Sequence, residues 1–270
     1  MSVTTSNFLV QHNVSVLGES SKPTIVFAHG FGTDQSAWRF VKDAFGDKYR
    51  LVLFDNAGSG KVDPALYSPL LYNSLHSYVG DLLQICSDLS LRDVTLIGHS
   101  VSGMLGLLAS IQSPHFFSKL VCLSSSPRYL NDSDSGYIGG FEQADLDQLY
   151  DNMQQNYFTW VSGFAPLAMN VPHRPGLGNE FARTLGEIRP DIALSVSRTI
   201  FQSDHRKDLP AVQKPVLLIH AHEDIAVPHQ VGAYLNASIR ESNLLYINAT
   251  GHFPHMSAPE EVIQAIGTFL

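Results

Sequence analysis

The 270-residue sequence contains only two cysteines, and this scarcity excludes a fold held together by disulfides. Cys86 and Cys122 are too few for the disulfide framework of a small secreted domain. Both lie in apolar segments, so we expect two buried free thiols, as is typical of a reducing compartment. The opening residues, MSVTTSNFLVQHN, lack the basic start and the apolar run of a signal peptide, and we expect none.

Long apolar runs and clusters of basic residues are also missing. No segment approaches the roughly 18 consecutive apolar residues that predict a membrane-spanning helix. The 17 Lys and Arg residues are scattered among 25 Asp and Glu residues, which gives a net charge of −8. Because phosphate binding requires clustered positive charge, we expect neither nucleic acid nor a membrane as a partner.

The sequence does contain the apolar residues that a large folded core requires, with 44% hydrophobic and 16% charged residues. Short runs rich in Val, Ile and Leu predict strands at Thr24–Ala28, Arg50–Phe54, Asp93–Ile97, Lys119–Leu123, Pro215–His220 and Leu244–Ile247. Amphipathic segments between them predict helices at Gln35–Phe45, Leu75–Leu89, Val101–Ser110, Gln230–Ile239 and Glu260–Leu270. This alternation predicts an α/β fold, in which helices cover both faces of a mostly parallel sheet.

The alternation of strands and helices stops between residues 131 and 208. This stretch has no good strand and instead shows four helical patterns, at Phe141–Asn156, Tyr157–Ala168, Glu180–Gly186 and Pro190–Gln202. A helical insertion between the fourth and fifth predicted strands is expected to cover the carboxyl edge of the sheet, where ligands of open α/β sheets bind. We therefore divide the chain into a core segment (1–130), a four-helix cap (131–208) and a second core segment (209–270).

The sharpest motif is Gly98–Gly103, with the sequence GHSVSG, which follows a predicted strand and begins a predicted helix. A strand, a tight turn and a helix are the setting in which a serine nucleophile is presented, and Ser100 is our candidate nucleophile. The five-residue pattern usually ends in glycine, where this sequence has Ser102, with Gly103 one place later. A Gly-x-Ser turn by itself occurs often by chance.

A second motif follows the first predicted strand, where His29-Gly30-Phe31-Gly32 stands. In α/β-hydrolases this loop provides one backbone N–H of the oxyanion hole, and the residue after the nucleophile provides the other. The expected donors are therefore Phe31 and Val101. A glycine-rich turn would explain the glycines alone, but it would not explain their pairing with the serine motif.

The order of the remaining candidates matches the same fold, in which serine, acid and histidine follow one another along the chain. Asp224 follows a predicted strand, and His252 lies in the loop after the last strand. Glu223 is a rival acid and His255 a rival base. We prefer Asp224 because a loop follows it directly, and His252 because it directly follows Gly251.

Two other groups of polar residues have simpler interpretations. His220, His222 and Asp224 resemble part of a metal-binding pattern, but its closing histidine is replaced by Ile225, and we predict neither a metal nor another cofactor. Four further histidines, His12, His76, His115 and His205, are expected at the surface. The segment 54–58 is expected to shape the loop beside the pocket.

With these motifs in place, the chain resembles the karrikin-insensitive and dwarf-fourteen group of plant hydrolase-type receptors, which is similar to the bacterial stress regulator RsbQ. The resemblance is carried by HGFGTDQSAW, LVLFDNAGSG, TLIGHSVSGMLGLLASI, SSSPRYLND, GGFEQADLDQLYDNMQQNY, GFAPLAMN, RTLGEIRPDIALSVSRTIFQSD and ATGHFPHMSAP. These segments span most of the chain, and EIRPDIALSVSRTIFQSD is most similar to the karrikin-insensitive type. The loop from Asn131 to Phe141 is about two residues longer than is usual for the group.

The resemblance implies an α/β-hydrolase fold and a slow serine hydrolase that acts as a receptor for butenolides of the karrikin and strigolactone type. It also implies an F-box leucine-rich-repeat protein and a repressor as partners, and a location in cytoplasm and nucleus. The ligand pocket that it implies is apolar and aromatic. Its residues besides Phe31 would be Tyr129, Phe141, Leu149, Phe164, Leu167, Phe181, Phe201 and Ala226. An RsbQ-like regulator and a plain carboxylic-ester hydrolase are the alternatives.

Overall fold

A seven-stranded sheet forms the centre of the protein in a computed structural model that describes residues 6–270. Its strands are β1 (Ser15–Leu17), β2 (Thr24–Ala28), β3 (Arg50–Phe54), β4 (Val94–His99), β5 (Phe117–Leu123), β6 (Val216–Glu223) and β7 (Ser242–Thr250). Their order across the sheet is β1-β3-β2-β4-β5-β6-β7. All neighbouring strands are parallel except β1 and β3, which are antiparallel. The predicted mostly parallel sheet is therefore confirmed.

Ten α-helices accompany the sheet in residues 6–270. They are α1 (Asn7–Gln11), α2 (Leu75–Asp88), α3 (Val101–Gln112), α4 (Gln143–Gln155), α5 (Tyr157–Met169), α6 (Pro175–Gly186), α7 (Pro190–Phe201), α8 (His229–Ser238), α9 (Pro254–Ser257) and α10 (Pro259–Phe269). Gln35–Phe40 and Lys42–Ala44 form 3-10 turns where the sequence predicts one α-helix.

Both faces of the sheet are covered, which explains the continuous apolar runs of its strands. In β2, Ile25 and Phe27 pack into one core, together with Trp38 and with Ile266 of α10. The alternate residues of the same strand pack into the larger core, with α2, α3 and α8. Because successive side chains of a strand point to opposite faces, a strand that is buried on both sides has few polar positions.

The helices α4 to α7 all fall within the predicted insertion and follow β5 in the chain. Helices α5 and α6 pack against each other, and α4 packs against α5 and α7. Thr184 of α6 donates a hydrogen bond from Oγ1 to the carbonyl oxygen of Gly32, 2.7 Å away, in the loop after β2. The insertion is thus joined directly to the loop that carries Phe31.

The long loop before α4 has a defined structure. Asp132 pairs with Tyr137 and Leu130 with Phe141 through isolated β-bridges. The side chain of Asn131 accepts hydrogen bonds from the N–H groups of Gly139 and Gly140, both at 2.9 Å. The loop is therefore closed on itself by hydrogen bonds near its base and near its tip.

Two predictions about the environment of side chains have different outcomes. His12 is buried, with its Nδ1 atom 3.1 Å from the carbonyl oxygen of Asp55, so the prediction of a surface residue is wrong there. Its ring packs against Phe8, which covers it. Cys86 and Cys122 are buried free thiols, and burial raises the pKa of each to about 12.

Across residues 6–270, no helix has both the length and the apolar character that crossing a membrane would require.

Candidate active site

Ser100 occupies a strained turn between β4 and α3. Its φ and ψ angles are 55° and −125°, a conformation that a residue with a side chain adopts only when its surroundings enforce it. A Cβ atom at Gly98 would collide with the backbone of Ser102, and one at Gly103 with the side chain of Ser125. The small residues of the motif are therefore required because the helix passes so close to the strand.

Three side chains from separate loops meet at this turn. Ser100 Oγ lies 2.8 Å from Nε2 of His252, and Nδ1 of His252 lies 2.8 Å from Oδ2 of Asp224. The other carboxylate oxygen of Asp224 accepts hydrogen bonds from the N–H groups of Ala226 and Val227, at 2.8 and 3.2 Å. These bonds fix the carboxylate and leave Oδ2 free for the imidazole. The arrangement is that of a serine, histidine and aspartate relay.

The rival residues lie elsewhere. Glu223 is the exposed last residue of β6. His255 is fully buried and packs against Trp38, with ring centroids 4.6 Å apart. Neither ring nitrogen of His255 has a hydrogen-bond partner among the residues that the structure describes. The structure brings Asp224 and His252 to Ser100, and it brings neither rival there.

The glycine-rich loop after β2 approaches the nucleophile closely. A Cβ atom at Gly30 would lie 3.2 Å from Cβ of Ser100 and would collide with the ring of His99. The backbone N–H of Phe31, next in the loop, donates to no acceptor within residues 6–270. The N–H of Val101, the first residue of α3, has no carbonyl partner within its own helix, because the first turn never has one. Two backbone donors are thus unengaged beside Ser100.

Ser102, the departure from the usual motif, has a structural explanation. Its Oγ donates a hydrogen bond to the carbonyl oxygen of His29, 2.5 Å away, and accepts one from Nδ2 of Asn56, 3.2 Å away. Nδ2 of Asn56 also donates to the carbonyl oxygen of His29 at 3.0 Å. A serine at this position therefore connects the turn at Ser100 to the loop of Phe31 and to the loop after β3, which a glycine could not do.

His99 contacts the base, with ring centroids of His99 and His252 5.0 Å apart, and was not predicted as a site residue. Its Nε2 lies 2.7 Å from the carbonyl oxygen of His252, so this nitrogen carries the proton and donates. The ring is fully buried. Burial, followed by repulsion from His255 and His252, holds the pKa of His99 well below its usual 6.5. His99 is therefore a neutral donor that holds the backbone of His252.

The loop of His252 is also fastened to α5. The N–H of His252 donates to the carbonyl oxygen of Ala168 at 2.8 Å, and Oγ1 of Thr250 donates to that of Asn170 at 2.7 Å. Gly251 has φ of 82° and lies against the carbonyl group of Met169. The last turn of α5 therefore determines the position of the base.

Tyr129 stands over the nucleophile. Its hydroxyl lies 3.4 Å from Ser100 Oγ, and its ring packs edge-on against Phe201 at 4.9 Å between centroids. Phe141 packs against Phe201 in turn. Burial raises the pKa of Tyr129 well above 10, so the phenol stays protonated. An aromatic wall made by these three side chains thus covers one side of Ser100.

An apolar cavity extends from the two unengaged N–H groups. It contains about 370 Å³ of space that no atom fills, including its open mouth. Its lining is His29, Gly30, Phe31, Gly32, Thr33, Asn56, Ala57, Gly58, Ser59, Tyr78, Val101, Leu105, Ile188, Val196 and Ile200. The predicted contribution of segment 54–58 to this loop is confirmed by Asn56, Ala57 and Gly58.

The residues predicted to line the pocket are found in several places. Leu167 is 65% exposed and lies, with Phe164, in an outer groove beside α4, so its assignment to the interior is wrong. Leu167 faces outward because it lies on the solvent side of α5. Phe181 is buried and packs against Phe253, 4.3 Å away between centroids. The remaining four half-buried or buried members are Tyr129, Phe141, Leu149 and Phe201, and Ala226 is the buried residue that donates to Asp224.

Several lining residues of the cavity were not predicted from the sequence. Tyr78, Ile188, Val196 and Ile200 all lie in or beside amphipathic helices, where an apolar or aromatic residue predicts core packing. Nothing in the helical pattern distinguishes a side chain that faces a cavity from one that faces a neighbouring helix.

Comparison with known proteins agrees with this geometry. Residues 23–259 match the α/β-hydrolase fold family. The chain is 46% identical to the karrikin insensitive 2 receptor CA of Petunia hybrida over 94% of both chains, and 42% identical to the strigolactone esterase D14 of Arabidopsis thaliana over 96% of both. A hydrolase from Oleispira antarctica has a similar structure, with a TM-score of 0.94 and 31% identity over 100% of this chain and 98% of the other.

The resemblance inferred from the motifs is thereby confirmed, and so is the predicted fold. Sheet order, the turn at Ser100 and near-complete coverage of the relatives all agree. The chain belongs to the α/β-hydrolase fold family, in the group of the karrikin insensitive 2 receptors and the D14 esterases.

Proposed function

We propose that this protein is a receptor for small butenolides of the karrikin and strigolactone type that hydrolyses its ligand slowly. The observation that carries the proposal is the relay of Ser100, His252 and Asp224, which lies beside two unengaged N–H donors and the apolar cavity that extends from them. An ester or lactone with few polar groups fits such a site. The names of the relatives support this class of ligand.

In the proposed reaction, Ser100 Oγ attacks the lactone or ester carbonyl while His252 Nε2 accepts its proton. The N–H groups of Phe31 and Val101 stabilise the negative charge on the carbonyl oxygen. Asp224 holds the imidazole in position and stabilises its positive charge. His252 returns the proton to the leaving oxygen, and a water molecule, deprotonated by His252, then releases the acid from Ser100.

The aromatic wall of Tyr129, Phe141 and Phe201 contributes to ligand selection in this proposal. Tyr129 also limits the space above Ser100, because its hydroxyl lies 3.4 Å from the nucleophile. A ligand must therefore displace or hydrogen-bond this phenol before its carbonyl reaches the serine. Such a step is consistent with slow turnover.

A thermal-shift titration combined with single-turnover kinetics, using strigolactone-type butenolides and karrikins, tests the proposal. We expect a ligand-dependent rise in the unfolding temperature and one slow round of hydrolysis. Folded wild-type protein that neither binds nor hydrolyses any member of the set would contradict it. The same panel reports the stereochemical preference.

A plain carboxylic-ester hydrolase is the second candidate. The structural similarity to the hydrolase from Oleispira antarctica favours it. Fast multiple turnover on simple aryl esters, near the typical enzyme rate of about 10 per second, would support this function. A slow single turnover would support the receptor.

The partners that we propose are an F-box leucine-rich-repeat protein and a repressor, in cytoplasm and nucleus. The outer surfaces of α4 and α5 are separate from the cavity and are available for such contacts. Ligand-dependent co-precipitation of both proteins tests this part. Recovery of a phosphatase and of no F-box protein would instead indicate an RsbQ-like regulator.

A further inference from the structure

The cavity beside Ser100 is lined by five polar side chains that can form hydrogen bonds, and three of them are already paired. Oγ1 of Thr33 donates to the carbonyl oxygen of Gly30 at 2.9 Å. Nε2 of His29 accepts from the N–H of Asn56 at 3.0 Å, and the Asn56 side chain donates to the carbonyl oxygen of His29. These hydrogen bonds hold the loops after β2 and β3 together.

The other two polar side chains of the lining are Ser59 and Tyr78. Ser59 is 8% exposed and Tyr78 is 5% exposed. Neither hydroxyl has a hydrogen-bond partner within residues 6–270. Buried hydroxyl groups are nearly always paired, because leaving one unpaired costs free energy. Two unpaired hydroxyls on the wall of one cavity therefore indicate a site for a further hydrogen-bonding group.

The neighbouring phenols direct their protons elsewhere. The hydroxyl of Tyr67 donates to Ser195 Oγ at 2.9 Å, and that of Tyr72 donates to the carboxylate of Asp81 at 2.9 Å. Burial, with contributions from Tyr67, Tyr72 and Asp81, raises the pKa of Tyr78 well above 10. Tyr78 is therefore a neutral phenol, which can donate its proton to an acceptor in the cavity in place of the adjacent hydroxyl of Tyr67.

We propose that Ser59 Oγ and Tyr78 OH form a polar subsite that binds an oxygen acceptor of the ligand, such as an ether or carbonyl oxygen, away from the scissile carbonyl. The proposal rests on the proposed function and makes its ligand more specific. Phe31 and Val101, which bind the carbonyl in the proposed function, line the same cavity as Ser59 and Tyr78. The ligand then needs two oxygen-bearing groups separated by an apolar portion.

Binding of matched esters to the Ser100→Ala protein tests the subsite independently of turnover. The probes are 4-nitrophenyl hexanoate and three isosteres in which an ether oxygen replaces one methylene group of the acyl chain, at a different position in each. The dissociation constants are measured by calorimetry for Ser100→Ala alone and combined with Tyr78→Phe or Ser59→Ala. The ratio of ether to alkyl affinity is the informative quantity.

For one of the ether isosteres, we expect Tyr78→Phe to lower the ratio of ether to alkyl affinity about fivefold to tenfold, the effect of one neutral hydrogen bond. We expect Ser59→Ala to lower the same ratio by a similar factor. Tyr157→Phe is the matched control, since its hydroxyl donates to the carbonyl oxygen of Leu185 and does not line the cavity. Its ratio should be unchanged.

Equal ratios in all variants, or no binding of any probe, would overturn the subsite. Hydrolysis of strigolactone-type butenolides by the wild type is measured separately. Its absence would count against the proposed function without deciding the subsite, because the binding measurements do not depend on it.

Discussion

Three features position Ser100: the backbone conformation of its turn, the imidazole of His252 and the hydroxyl of Tyr129. Each comes from a different part of the chain. The turn between β4 and α3 sets its φ of 55°, His252 comes from the loop after β7, and Tyr129 from the segment after β5. A nucleophile held in this way needs little reorganisation before attack. Chemistry at this residue is therefore separable from binding, which depends on the apolar cavity.

Replacing Ser100 by alanine should abolish ester cleavage while the dissociation constant for the ligand changes less than about threefold. The hydroxyl is lost, but the apolar lining that provides most of the binding free energy stays in place. Single-turnover kinetics and calorimetry on the same preparation measure both quantities. Residual cleavage at the wild-type rate would show that Ser100 is not the nucleophile.

Replacing His99 by leucine should lower kcat by roughly 10-fold to 100-fold and leave KM nearly unchanged. The bond from its Nε2 to the carbonyl oxygen of His252 disappears, so the base moves relative to Ser100, and small displacements of a catalytic group are costly. Steady-state kinetics on an aryl ester, with the unfolding temperature recorded to confirm folding, measures the effect. A rise in KM at constant kcat would contradict this role.

At the scale of the elements, the sequence predicts a strand or helix correctly where its pattern of apolar residues matches the burial of that element. The buried strands β2 and β3 begin and end where their apolar runs do, because these runs are covered on both faces. Strand β1 was missed since its three residues are mostly exposed and pair only with β3. Helix α6 begins at Pro175 rather than Glu180, because a proline in the first helical turn starts a helix that the following glycines obscure.

The candidate site was predictable as far as its motifs extend. The turn at Ser100, the loop of Phe31 and the chain order of the triad candidates all depend on short-range patterns. The direction of Leu167 and the burial of His12 depend on how helices pack against the rest of the molecule, which no local pattern contains. The same holds for Tyr78, whose helical spacing is that of an ordinary core residue.

Gly251→Ala should lower both the unfolding temperature and kcat, the latter at least tenfold. A methyl group there would collide with the carbonyl group of Met169, and φ of 82° disfavours any side chain, so the His252 loop must separate from α5. Differential scanning fluorimetry and steady-state kinetics measure the two effects.

Gly163→Ala is the matched control, because Gly163 lies in α5, the helix that Gly251 contacts. Its added methyl group meets no atom within 4 Å, and alanine stabilises an exposed helical position by about 0.4 to 1 kcal/mol relative to glycine. Full activity in this variant, with loss of activity in Gly251→Ala, assigns the effect to the contact with Met169. Equal activity of both variants would show that this contact does not position His252.

At the scale of the whole molecule, three fully enclosed histidines make the fold sensitive to acid. Burial lowers the pKa of His220 from 6.5 to about 4 and that of His255 to about 3, and it also lowers the pKa of His99. The unfolded chain binds protons at these positions below pH 6.5, whereas the folded chain does not. The unfolding free energy is therefore highest above pH 6.5 and falls as the pH drops toward 4.

Denaturant titrations between pH 7 and pH 5 measure this dependence. Each additional proton bound by the unfolded chain contributes about 1.4 kcal/mol per pH unit to the slope. His220→Gln should make the slope shallower, because it removes one of the groups that bind a proton in the unfolded chain alone over this range. An unfolding free energy that does not vary over this range would contradict the neutral, enclosed state of these rings.

The attachment of the His252 loop to the last turn of α5 has a thermodynamic consequence. Because Ala168 and Asn170 accept hydrogen bonds from His252 and Thr250, the position of α5 and the competence of the base belong to one equilibrium. Such coupling is reciprocal. A molecule that binds the outer surface of α5 and shifts this helix must alter the affinity of the cavity for its ligand by the same free energy with which that ligand alters the affinity of the outer surface.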